Sequence, residues 1–349
     1  MKRFALLIAA LIFTAQPAVI LAAPNVYLKS VYENRSDLHQ SFDPVTYQAI
    51  PGSGAGFLIN LEDWAHQYGW REHEELASYS PTGAVPTRKP GAKSEPEIAA
   101  EAYMILDRQT GQIMAAKKGG IEWPIASLTK LVTAEVVLDS GEPLSSVHDI
   151  RSIDDVGGAK LWVEEGTTYT LDDLMYATLV GSANNAAYAI SRSSGMAFDA
   201  FIARMNAKAK SMNLNHTVFV DPSGIELGNV STPREIAAIA NEVFKRPEMR
   251  RYTSTAIRDI YSFPDGTAKR MKNTNWMLYY PEYEDVFIMS GKTGYLIESK
   301  WNLLVSIRSE VSDVDRELMI VTFGSDSRTE SFENTKALAS WAWQNHTWK

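Results

Sequence analysis

The chain contains no cysteine, which excludes a disulfide scaffold, a thiolate nucleophile and a cysteine-ligated zinc centre. It lacks a basic surplus as well. Against 42 Asp and Glu stand only 34 Lys and Arg, a formal net charge of −8, so there is no cationic excess to neutralise a phosphate backbone and no nucleic-acid partner is expected. Histidine is scarce, limited to His39, His66, His73, His148, His216 and His346. None of them forms an H-E-x-x-H pair, and no metal or other cofactor is expected. A G-x-S-x-G nucleophile elbow is also missing, because Gly52-Ser53-Gly54-Ala55-Gly56 carries its serine one position early. A Ser-His-Asp triad stays open on spacing alone, since triads assemble from distant residues. Beyond the N-terminus no apolar run approaches the roughly 20 residues of a membrane span.

What is present begins with Lys2 and Arg3 ahead of an apolar run from Phe4 to Phe13 and a second ending at Leu21-Ala22-Ala23. This pattern reads as a secretory signal peptide over residues 1–23, which predicts a periplasmic protein with no stable membrane span once the signal is removed. Residues 24–77 form an extension to which no chemistry is assigned, with an aromatic patch at Trp64, Tyr68 and Trp70 suited to packing a short helix onto a partner surface. Residues 78–97 are rich in Pro, Gly, Ser and Lys, the composition of a linker, and the main domain is expected over 98–345. With 45% hydrophobic residues in 349, the chain can bury a full core.

The main domain opens on two strands, Tyr103 to Leu106 and Gln112 to Ala115, around the turn Asp107-Arg108-Gln109-Thr110-Gly111. From Ile125 to about Lys245 the pattern is helical, with Leu128, Leu131, Val132 and Val136 on one face and similar spacing over Phe198 to Met212 and Arg234 to Phe244. Strand character returns at Val286 to Met289, at Trp301, Leu303, Val305 and Ile307, and at Leu318 to Phe323. A closing amphipathic helix follows over Glu330 to Trp343. Strands at both ends with helices between predict an α+β fold with one antiparallel sheet built from both ends of the chain.

Three short strings carry chemistry. Ser127-Leu128-Thr129-Lys130 opens the helical region, which sets a hydroxyl at a helix start and an amine one turn away on the same face. A serine nucleophile needs an acceptor for its proton, and a lysine serves if burial or a second cation keeps it neutral. Alone, the same string is equally an N-capping serine beside a solvated lysine. Ser182-Ala183-Asn184 follows the helical stretch Leu171 to Leu179 and is expected in a loop presenting a hydroxyl and an amide to a cleft, or in an ordinary turn. Lys292-Thr293-Gly294 comes at the end of an apolar strand, where it offers a cation, a hydroxyl and close backbone access to a peptide alongside. A phosphate-binding loop is excluded there because Val286 occupies the place of its upstream glycine.

In this order the three strings resemble the motif set of the low-molecular-mass penicillin-binding proteins, the D-alanyl-D-alanine carboxypeptidases and endopeptidases. The resemblance spans about Glu97 to Trp343. It also rests on Ile105 to Gly111, on Pro124-Ile125-Ala126 before Ser127, and on Met205 to Lys210 through Asp221-Pro222-Ser223-Gly224 and Val230-Ser231-Thr232. The chain ends soon after its closing helix, which is most similar to the endopeptidase-type members.

The resemblance implies a β-lactamase/transpeptidase-like domain, an antiparallel sheet packed by helices plus a mostly helical subdomain. It implies that Ser127 attacks a D-Ala-D-Ala or D-Ala-diaminopimelate bond in peptidoglycan peptides, with Lys130 as base and Ser182 as proton relay. Asn184, Lys292, Thr293, Gly294 and Tyr295 would bind substrate, the backbone N–H groups of Ser127 and Tyr295 would form an oxyanion hole, and β-lactam antibiotics would be covalent inhibitors. The charge of Lys292 is expected to keep Lys130 deprotonated. Two alternatives are a serine β-lactamase and a non-catalytic penicillin-binding scaffold. The first is disfavoured because no E-x-x-L-N segment is found. The sequence departs from the family after the third string, where Ile297-Glu298-Ser299-Lys300 replaces an expected glycine.

Overall fold

In the computed structural model, residues 83–310 and 313–349 are described. The expected signal peptide, the 24–77 extension and the start of the linker lie outside them. Five strands, β1 (Ala102–Asp107), β2 (Ile113–Lys117), β3 (Phe287–Leu296), β4 (Lys300–Arg308) and β5 (Leu318–Ser325), form an antiparallel sheet in the spatial order β3-β4-β5-β1-β2. Both ends of the chain contribute to it, as the α+β reading expects.

Among the described residues seven α-helices pack on the sheet or on one another: α1 (Lys130–Ser140), α2 (Leu171–Leu179), α3 (Asn184–Ser193), α4 (Phe198–Ser211), α5 (Pro233–Val243), α6 (Pro247–Ser254) and α7 (Arg328–Asn345). Period-two alternation decides which core each strand residue enters. Met104 and Leu106 of β1 and Met319, Val321 and Phe323 of β5 face the large core shared with α1 to α6. Tyr103 and Ile105, with Leu318 and Ile320, face Phe332, Leu338, Ala339 and Ala342 of α7. Coverage on both faces is why all six residues of β1 are buried.

Local chemistry starts and stops these helices. Thr170 caps α2 by accepting from the Asp173 N–H at 3.1 Å, Thr232 caps α5 through Glu235 at 3.1 Å with Pro233 in the first turn, and Ser327 caps α7 through Glu330 at 3.1 Å. α1 ends on Gly141 in the left-handed conformation. Leu128, Leu131, Val132 and Val136 are buried as their spacing suggests, and burial extends to every residue from Lys130 to Val137, so α1 runs through the helical layer rather than along its surface.

The described part of the expected linker is extended but bound. Pro86–Arg88 pairs antiparallel with His346–Trp348, and the Trp341 indole N–H donates to the Lys93 carbonyl at 3.0 Å. A hairpin that the sequence reading did not identify, Ile257–Tyr261 with Ala268–Lys272, is rich in charge. Arg270 pairs with Asp259 across it at 3.0 Å, and those charges erase the apolar alternation that marks a strand.

Two left-handed glycines separate backbone strain from packing. Gly111 has open space where a Cβ would stand, whereas at Gly224 a Cβ would collide with the Ala126 carbonyl group and lie 2.8 Å from Thr129 Oγ1. Gly111→Ala should therefore cost about 1 kcal/mol of backbone strain, and Gly224→Ala more than about 3 kcal/mol. Denaturant midpoints measure both, and equal losses would contradict the packing argument.

Candidate active site

The first wall is a tight turn. Ala126–Thr129 forms a 3-10 turn that runs directly into α1 at Lys130, and Ala126 takes a φ of 50°, strained for a residue with a Cβ. Neighbours hold the turn in place: the Ile125 N–H donates to the Asn229 carbonyl at 3.0 Å, and Asn302 Nδ2 of β4 donates to the Pro124 carbonyl at 2.9 Å. Ser127 lies in the first turn, where helical N–H groups have no intrahelical acceptor.

The second wall joins α2 to α3. Ser182 sits at a φ of 58° between the two helices, while Asn184 opens α3. The expected loop is thus a sharp turn, and its asparagine belongs to a helix. Asn184 Nδ2 donates to the Gly157 carbonyl at 2.9 Å and the Asn184 N–H to the Ala159 carbonyl at 2.7 Å, which ties the 157–159 loop to this wall.

The third wall is β3, at the edge of the sheet. Lys292, Thr293 and Gly294 are within this strand of ten residues, not at its end, paired with Leu304, Leu303 and Asn302. Thr293 Oγ1 donates to Thr274 Oγ1 at 2.6 Å. A Cβ on Gly294 would lie 2.7 Å from the Ile125 carbonyl oxygen and 3.3 Å from Ser127 N, so only glycine lets the edge strand lie against the nucleophile turn. The glycine expected after this string is replaced in function by Lys300, whose φ of 54° makes the left-handed step into β4.

Where the walls meet, the Lys130 amine is fully buried. It lies 2.8 Å from Ser127 Oγ, 2.7 Å from Asn184 Oδ1 and 2.6 Å from the Ser223 carbonyl. Burial lowers its pKa to about 7, although the negative charge of Asp221 acts the other way. A neutral amine has two N–H groups and a lone pair. The two carbonyl-type oxygens can only accept, so they take the two N–H groups and leave the lone pair for the Ser127 hydroxyl proton.

Lys292 is fully buried too, and its side-chain nitrogen donates to Ser182 Oγ at 2.8 Å and to the Thr293 carbonyl at 2.9 Å. Burial first, then repulsion from Lys130 and Arg328, holds it well below an ordinary lysine. Burial is the largest cause at both lysines, and the repulsion between them is mutual, so a charge on either disfavours a proton on the other.

All eight expected residues, Ser127, Lys130, Ser182, Asn184, Lys292, Thr293, Gly294 and Tyr295, come together here. A cleft of about 330 Å³ is lined by Ser127, Ser182, Asn184, Thr293 and Tyr295, with Gly158, Ile225, Ile297 and Trp301 at its sides. Among the described residues there is no cluster of metal-ligating side chains.

Sequence reasoning assigned no role to Asp221 or Arg328. Asp221 accepts from Ser223 N at 2.6 Å, Gly224 N at 2.8 Å and Glu226 N at 2.9 Å, and so aims the Ser223 carbonyl at Lys130. Its signal was available, since Asp-Pro-Ser-Gly is a side-chain-capped turn. Arg328, first residue of α7, lines the cleft with its guanidinium 4.4 Å from the Trp301 ring and 4.8 Å from the Trp276 ring. Tyr295 stacks on Trp301 at 4.4 Å. Nothing local in the sequence announces that arginine.

The sequence pattern of the D-alanyl-D-alanine carboxypeptidase family matches residues 89–327. A D-alanyl-D-alanine endopeptidase of Escherichia coli is 31% identical over 62% of this chain and 70% of its own length, and one of Pseudomonas aeruginosa is 27% identical over 76% and 84%. A Streptomyces DD-transpeptidase structure is similar in fold, with a TM-score of 0.65 at 24% identity over 72% of this chain and all of its own.

The buried amine beside Ser127 predicts a pH-dependent acylation. With a base whose pKa is about 7, the reactive form is the neutral amine, so acylation of Ser127 by labelled penicillin should rise about tenfold from pH 6 to pH 8 and level off above. Lys130→Arg keeps the charge but cannot deprotonate, and should lower the rate by about 10³-fold or more and remove the pH step. A flat wild-type profile would contradict the assignment.

Proposed function

The chain belongs to the D-alanyl-D-alanine carboxypeptidase family, and from that premise we propose how its residues perform serine DD-peptidase chemistry on peptidoglycan. The observation that carries the proposal is the buried Lys130 amine 2.8 Å from Ser127 Oγ. Ser127 Oγ attacks the carbonyl carbon of a D-Ala-D-Ala or D-Ala-diaminopimelate bond while Lys130 takes its proton. The oxyanion is received by the backbone N–H groups of Ser127 and Tyr295, a pairing supported by the close approach of Gly294 to Ser127. As the C–N bond breaks, Ser182 relays to the departing amine the proton that Lys130 took from Ser127, which returns Lys130 to a neutral amine. Water then attacks the Ser127 ester and releases the shortened peptide.

Lys292, Thr293 and Arg328 form the anion-binding side of the cleft and hold the substrate carboxylate, and Asn184 binds the peptide while it positions Lys130. A carboxylate beside Lys292 favours its charged form, and that charge in turn disfavours a proton on Lys130. Among the described residues lining the cleft there is no Asp or Glu, which supports slow release of a β-lactam rather than its turnover. We assign the catalytic domain to 98–345. No helix among the described residues is long and apolar enough to cross a membrane, and we place the enzyme in the periplasm, exported by residues 1–23, with 24–77 available to a cell-wall protein.

Mass spectrometry after labelled penicillin should place a lasting adduct on Ser127 and none on Ser127→Ala. An unmodified wild-type protein, or a label elsewhere, would overturn the reading. Arg328→Gln should raise KM for a stem pentapeptide about tenfold with kcat within twofold; an unchanged KM would remove Arg328 from the carboxylate site.

A further inference from the structure

Beside the catalytic cleft lies a second groove, of about 210 Å³, between residues 150–155 and 160–165. Trp162 stands in its wall with 70% of its surface exposed, although tryptophan is ordinarily well buried. The Lys160 ammonium is 4.3 Å from the Trp162 ring centroid and 2.7 Å from Asp155 Oδ2. Across the groove the Ser152 hydroxyl donates to Glu165 Oε1 at 2.9 Å. The mechanism uses none of these groups.

The loop that carries Trp162 is fixed. Asn185 Oδ1 accepts from the Leu161 N–H at 2.9 Å and Asn185 Nδ2 donates to the Leu161 carbonyl at 2.9 Å, one residue beyond the Asn184 that holds Lys130. The ring is therefore presented to solvent by the same helix start that builds the active site. Ala159 lines the catalytic cleft and the next residue, Lys160, lines the groove. The two openings are thus bordered by consecutive residues of one segment.

We propose that the Trp162 groove is a saccharide subsite, which receives an N-acetylated pyranose of the glycan strand while the attached stem peptide occupies the catalytic cleft. The apolar C–H face of a pyranose stacks on an aromatic ring, and its hydroxyl and acetamido groups take hydrogen bonds from side chains of both donor and acceptor type, the composition that Lys160, Asp155, Ser152 and Glu165 supply. Charges of both signs around the ring disfavour an acyl-chain surface, which would have to desolvate them. The inference rests on the cell-wall substrate proposed above, but its site is separate from Ser127.

Calorimetry with the N-acetylglucosamine tetramer, on the full chain with and without penicillin on Ser127, tests it directly. Binding is expected in both states, with affinity lowered at least tenfold by Trp162→Ala while that variant still labels with penicillin at the wild-type rate. Absence of binding at millimolar tetramer, or binding unchanged in Trp162→Ala, would overturn the subsite. Sugar binding without Ser127 labelling would uphold the subsite and count against the peptidase reading alone.

Discussion

A lysine amine sealed from water and ringed by three oxygens is the constraint on which this structure turns. Lys130 has no exposed surface, and an ammonium there pays a desolvation penalty that an amine does not. Burial is therefore the chemical device: it brings a side chain that is ordinarily a protonated conjugate acid to a pKa of about 7, so that the amine is available near neutral pH. The acceptors decide what that base does. Asn184 and the Ser223 carbonyl claim its hydrogens, and Ser127 is left facing its lone pair.

Much of the surrounding fold serves that one contact. α1 is buried on every side over the length that carries Lys130. Asp221 gathers the N–H groups of its own loop so that the Ser223 carbonyl points inward, and Gly224 lets that loop lie against the nucleophile turn. From the other side Gly294 brings the sheet edge up to Ser127 N. Two backbone positions near the chemistry, Ala126 and Ser182, hold positive φ values, strain that neighbouring hydrogen bonds and close packing sustain.

The parts legible in the sequence were those with local signals. The ordered strings around Ser127, Ser182 and Lys292 are the ones that meet at one cleft, and alternation at Trp301, Leu303, Val305 and Ile307 marked β4. What escaped was long-range. Asn302 holds the Pro124 carbonyl from 178 positions away, and Arg328 reaches the cleft from the start of a helix whose sequence pattern spoke only of packing. The hairpin at 257–272 was hidden by its own charges. Burial of the two lysines was not legible either, because a sequence shows that both can carry charge but not that both are wholly buried.

The central claim is that Lys130 is an amine, not an ammonium, at working pH. Carbon-13 NMR of the full chain with lysine labelled at Cε, assigned by comparison with Lys130→Arg, reads that state directly. The Lys130 resonance should titrate near pH 7, well below the solvent-exposed lysines. A Lys130 that titrates with them, near pH 10.4, would contradict the account.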